Sequence, residues 1–101
     1  MAFVKVATVA DLAPDSLKEV TVGGNCYALC NAGGEIYAIS GVCLHRGGPL
    51  GQGALQGTHV VCPWHGWEWD CRTGANDYDP DQKVATYPVQ IEGADILIDI
   101  P

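Results

Sequence analysis

Two short boxes hold the residues best suited to chemistry in this 101-residue chain. The first is Cys43-Leu44-His45; the second, after sixteen intervening residues, is Cys62-Pro63-Trp64-His65. Each offers one thiol and one imidazole, cysteine ahead of histidine, among Gly and Pro residues (Gly47, Gly48 and Pro49; Pro63 and Gly66). Such a pattern is expected when two hairpin tips grip one metal centre. Two centres suit two thiolates and two imidazoles. One is a tetrahedral zinc ion. The other is a [2Fe–2S] cluster with both cysteines on one iron and both histidines on the other. Zinc fingers usually keep their cysteines together and their histidines together. Here each box holds one of each, as needed if each loop must reach both irons, so the spacing favours the cluster. Buried thiols and core histidines are the bland alternative, but cysteines in an intracellular chain are more often metal ligands or catalytic than paired.

At these residues the chain resembles the Rieske family. Both ligand boxes match, and the likeness continues through Gly47-Gly48-Pro49-Leu50-Gly51, Thr73-Gly74 and Tyr87-Pro88-Val89, over well more than half the chain. The resemblance implies an all-β Rieske fold, with an antiparallel β-sandwich base and an inserted cluster-binding subdomain. It also implies one Rieske-type [2Fe–2S] cluster held by Cys43, His45, Cys62 and His65, the histidines binding through Nδ1. Two neutral rings in place of two thiolates bring the oxidised centre from a formal charge of about −2 to about zero, which eases reduction. High-potential members carry one extra cysteine in each loop, joined as a disulfide. The matching positions here are Gly48 and Trp64. Hydroxyl donors of those members are replaced by Trp67 and Trp69, so the expected potential lies low in the Rieske range. Leu44 and the many acids between Thr73-Gly74 and Tyr87 depart from the usual pattern.

No residue set supplies a nucleophile with its base, an open metal position or a substrate pocket. That argues for outer-sphere electron transfer and against an enzyme. The resemblance is to ferredoxins of bacterial aromatic-ring-hydroxylating dioxygenase systems. It implies a soluble one-electron carrier between an NADH-oxidising flavoprotein ferredoxin reductase and a terminal oxygenase. A small Rieske-like subunit of a nitrite reductase or other multicomponent oxidoreductase is the alternative, and a zinc-stabilised interaction module the third reading.

The chain length fits a single domain, 1–101, with the cluster-binding subdomain at about 41–74. The formal net charge of −7 disfavours nucleic acid and anionic membranes, and it fits attraction to a basic patch on a protein partner and plain solubility equally. With no signal peptide or apolar span read from the sequence, a cytoplasmic monomer is expected. Arg46 is placed near the exposed tip, Trp64 as cover over the cluster, and Trp67 and Trp69 as packing partners. Cys26, Cys30 and Cys71 are expected to be buried free thiols. The first two lie four apart, on one face of a strand but too distant for an easy disulfide.

Short β-rich runs separated by glycines predict hairpins. Strands are expected at Phe3–Thr8 and Leu17–Val22. Cys26–Asn31 and Glu35–Ser40 should form a hairpin, as should Val84–Glu92 and Asp95–Ile100. Asp11–Asp15 should turn, Thr58–Cys62 and Trp67–Arg72 should flank the second box, and Ala75–Gln82 should be irregular.

Overall fold

The run Tyr27-Ala28-Leu29-Cys30-Asn31 is buried without a break, so this strand is covered on both faces. It belongs to β3 (Asn25–Ala32), at the heart of a computed structural model that describes residues 2–42, 48–64, 66–79 and 81–100. The other strands are β1 (Ala2–Thr8), β2 (Ser16–Val22), β4 (Glu35–Ser40), β5 (Ala54–Gln56), β6 (His59–Val61), β7 (Glu68–Asp70), β8 (Thr86–Tyr87), β9 (Val89–Glu92) and β10 (Asp95–Ile100). They form three antiparallel sheets, ordered β1-β10-β9, β2-β3-β4-β8 and β5-β6-β7. Among the described residues there is no α-helix, only 3-10 turns at Val9–Asp11 and Leu50–Gln52. Among the described residues no helix is long and apolar enough to cross a membrane.

The all-β expectation holds, and the sheets stack as three layers around two cores. Tyr27 and Leu29 of β3 join Val20, Ala38, Ala7, Ile96 and Ile98 in the core shared with the first sheet. Ala28 and Cys30, pointing the opposite way, join Ile39, Val60, Trp69, Cys62 and Cys71 in the core shared with the β5-β6-β7 sheet. The first interface is the sandwich base. The second seats the small sheet that carries the second box. At the sandwich side, Tyr27 meets Tyr87 edge-to-face, ring centroids 5.0 Å apart.

The first four expected strands match within a residue or two. One expectation fails. Val84–Glu92 is not a single strand of the last hairpin: β8 pairs with β4 in the middle sheet, whereas β9 pairs with β10 in the first. Pro88 stands between them. Lacking an N–H, it cannot extend a ladder as a donor, and its carbonyl accepts the Asp99 N–H at 3.0 Å while the chain passes between layers.

Candidate metal centre

Both boxes sit on stems closed by backbone hydrogen bonds. In the second, β6 and β7 pair Val61 with Glu68, and the Cys62 N–H donates to the Trp67 carbonyl at 2.7 Å. The hairpin end is thus narrowed to residues 63–66, where Gly66 turns the chain at φ 71°, a left-handed angle that side-chain-bearing residues rarely adopt. The first box hangs between Val42 and Pro49, which form an isolated antiparallel bridge. Directly below, the Leu50 N–H donates to the Gly41 carbonyl at 2.9 Å. Leu50 is wholly buried in the core under the small sheet and anchors the returning strand of the loop.

The two loops meet at Gly48. A Cβ built there would lie 2.8 Å from Cys62 Sγ and 3.1 Å from the Trp64 ring. Positions 48 and 64, where the resemblance puts a disulfide in high-potential members, are therefore neighbours, but one has no side chain and the other carries an indole. Cys62 is 2% exposed, whereas Trp64 is 49% exposed with its ring against Gly48. Cys62 is thus placed at the contact between the loops. Cys43, His45 and His65 lie outside the described residues, as do Leu44, Arg46 and Gly47.

Trp67 and Trp69 pack together as expected, centroids 6.2 Å apart, with Trp69 fully buried. Trp67 also meets Tyr78 at 5.9 Å, which draws the acidic segment against the hairpin. That segment is irregular but fixed. Asn76, 2% exposed, accepts the Tyr78 and Asp79 N–H groups on Oδ1, both at 2.9 Å, and donates from Nδ2 to the Glu68 carbonyl at 3.2 Å. Of the acids grouped together in the sequence, Glu68 and Asp70 lie on β7, and the Asp77 N–H bonds the Glu68 carbonyl. At the far end of β7, Asp70 takes hydrogen bonds from Arg72 Nε and Nη2, at 3.2 and 3.0 Å. Those bonds hold its carboxyl below the ordinary carboxylate range.

The remaining cysteines divide. Cys30 and Cys71 are buried as expected in one core; the influence of the Cys71 thiol, with burial, pushes the Cys30 thiol up, away from reactivity. Cys26 is only partly buried, with Thr21 Oγ1 3.7 Å from its sulfur. Two features had little sequence signal. One is the exposure of apolar Val42, just before the first box. The other is the partnership of His59, which only the β6–β7 register reveals.

The described residues fit an iron–sulfur centre. A buried sulfur, a glycine that leaves it room and a ring lying against that glycine stand where the boxes require a sheltered ligand. The family comparison agrees. The Rieske [2Fe–2S] domain family matches residues 2–88. The ferredoxin component of the naphthalene 1,2-dioxygenase system of Pseudomonas putida is 33% identical over 99 residues, covering 97% of this chain and 95% of the relative. The solved ferredoxin of carbazole 1,9a-dioxygenase from Nocardioides aromaticivorans IC177 superposes with a TM-score of 0.88 at 31% identity, covering 97% of each chain. A chain in a solved complex of reduced oxygenase and oxidized ferredoxin in carbazole 1,9a-dioxygenase matches at 0.86 and 26% identity, over 95% of this chain and 91% of that one. Taken with the loops converging on Cys62, this matching shows that the chain belongs to the Rieske [2Fe–2S] family, as an electron-transfer ferredoxin whose cofactor is a Rieske-type cluster and not as an enzyme in its own right.

Proposed function

We propose that this chain carries single electrons from an NADH-oxidising flavoprotein reductase to a terminal aromatic-ring-hydroxylating oxygenase, with Cys43, His45, Cys62 and His65 holding the cluster. The observation that carries the reading is the contact of Gly48 with Cys62 and Trp64, which joins two loops remote in sequence over one buried sulfur. Reversible one-electron storage is the chemistry the cluster supplies when bound. The chain's own part is to shelter and to dock. Cys62 offers its thiolate from a water-poor position, and the Trp64 indole lies against Gly48. Val42 at 47% and Trp64 at 49% exposure provide a small apolar contact beside the boxes, of the kind that suits brief redox encounters. The naphthalene and carbazole relatives support an oxygenase as the acceptor, and substrate choice would then rest with that oxygenase.

The domain reading that accompanies this is a single unit, 1–101, whose cluster-binding subdomain spans about 41–74. The stems closed at Gly41–Leu50 and at Val61–Glu68 support it. A monomer in the cytoplasm is the matching setting. The absence of hydroxyls at positions 67 and 69 and of cysteines at 48 and 64 supports a potential low in the Rieske range.

The experiment is anaerobic purification with assay of iron and acid-labile sulfide, followed by NADH-driven reduction through a dioxygenase-system reductase and re-oxidation by a terminal oxygenase. Two irons and two sulfides per chain, about stoichiometric, with turnover in the coupled assay are expected. A colourless protein, or one that is reduced but never re-oxidised by any such oxygenase, would refute the proposal.

A further inference from the structure

His59 takes no part in the two boxes. It opens β6 opposite Asp70 of β7. Its Nδ1 lies 3.0 Å from Asp77 Oδ2 and 3.4 Å from Glu68 Oε1, and its Nε2 lies 3.8 Å from Asp70 Oδ2. One donor atom each from His59, Glu68 and Asp77 falls within 4.8 Å of the others. The three side chains arrive on three separate pieces of chain: β6, β7 and the irregular segment. Backbone structure brings them together. The β6–β7 ladder sets His59 beside β7. Buried Asn76 and the Asp77 N–H both bond the Glu68 carbonyl, and this delivers Asp77 to the same place.

We propose that His59, Glu68 and Asp77 form a binding site for a divalent transition-metal ion of the zinc type, separate from the cluster. The imidazole distinguishes this group from a patch of acids. Magnesium and calcium favour all-oxygen shells, whereas a nitrogen donor beside carboxylates favours zinc, nickel or copper. The spacing suits such an ion as well. Ligands about 2.1 Å from a tetrahedral zinc stand about 3.4 Å from one another, close to the separations of Nδ1 from its two carboxylates. Two carboxylates neutralise the ion's charge. Nδ1 would bind as a lone pair with the ring proton kept on Nε2, which faces the Asp70 carboxylate at 3.8 Å, beyond direct hydrogen-bond distance. The group is only partly buried, which leaves room for water to complete the shell. An ion there would cancel two negative charges at the stem of the second box and tie the 76–79 segment to β7.

The proposal does not rest on the electron-carrier reading and is tested apart from it. Zinc chloride is titrated calorimetrically into the cluster-loaded protein while the cluster's visible absorption is followed. One saturable site per chain is expected, with the absorption unchanged. His59→Gln and Asp77→Asn should each weaken zinc binding by about tenfold or more, and Asp81→Asn by less than about twofold. On the unaltered chain, calcium and magnesium should bind at least about tenfold more weakly than zinc. That comparison decides the matter even if a variant fails to fold. The absence of saturable zinc binding, binding that survives both ligand substitutions, calcium binding as tight as zinc, or heat that tracks bleaching of the cluster would overturn the proposal.

Discussion

A Cβ built on Gly48 would lie 2.8 Å from Cys62 Sγ, closer than real Cβ atoms come to a neighbour, so something must move. The nearby indole of Trp64 and the buried sulfur leave it little slack. Gly48→Ala is therefore expected to lower the iron bound per chain and to destabilise the loaded protein, at a cost of about 1–3 kcal/mol typical of overpacking. Iron-to-protein ratio and thermal unfolding of the purified variant check this, and a variant with full iron and unchanged melting would contradict it. The sequence shows that Gly48 stands three residues after a boxed histidine. It does not show that the atom left out is the one that would strike the other loop, because that contact joins residues fourteen apart through the fold.

At the scale of elements, the 76–79 segment depends on one buried amide. Asn76 satisfies the Tyr78 and Asp79 N–H groups and shares the Glu68 carbonyl with the Asp77 N–H, its own three bonds being partly buried. Asn76→Ala is expected to cost about 1–3 kcal/mol, as N–H groups left without partners do. Calorimetric melting should show it, together with faster amide exchange at Tyr78 and Asp79; unchanged exchange at both would argue against this account. In the sequence this stretch reads only as irregular and acidic, since Asn is common in turns and nothing local marks it as buried. The hairpins were legible because glycines separate short β-rich runs. The passage of β8 into one sheet and β9 into another was not, although Pro88 is plain to see, because a proline in a run marks an interruption without saying which neighbour each half will find. Of the candidate site, spacing proposes the donor set, and the described residues place one member of it, Cys62, at the contact with Gly48. The stems at Gly41–Leu50 and Cys62–Trp67 needed the fold.

Two predictions belong to the whole molecule, which carries a formal charge of −7. With Glu68 and Asp77 beside the stem of the second box, association with a basic partner should slow as ionic strength rises. Stopped-flow reduction across a salt series checks this, and rates independent of salt would remove the acidic face from the docking step. The second concerns acid. Arg72 holds the Asp70 carboxyl below its ordinary range, so the bond contributes stability above the unfolded value, near pH 4, and loses it as pH falls through the lower folded value. Arg72→Ala should therefore melt earlier than the parent at neutral pH, with the gap closing on acidification. A gap that stays constant down to acid would assign it to another cause.

Because β3 sends odd-numbered residues to the sandwich and even-numbered ones to the layer beneath the metal loops, its reading frame matters more than its composition. Most exchanges among apolar residues there would keep each compartment supplied. A one-residue slip in the register of Tyr27–Asn31 would swap the two inventories, sending Tyr27 and Leu29 towards Trp69 and the small Ala28 and Cys30 into the space the larger chains had filled. One such slip would then loosen the base and unseat the iron-bearing cap in the same event.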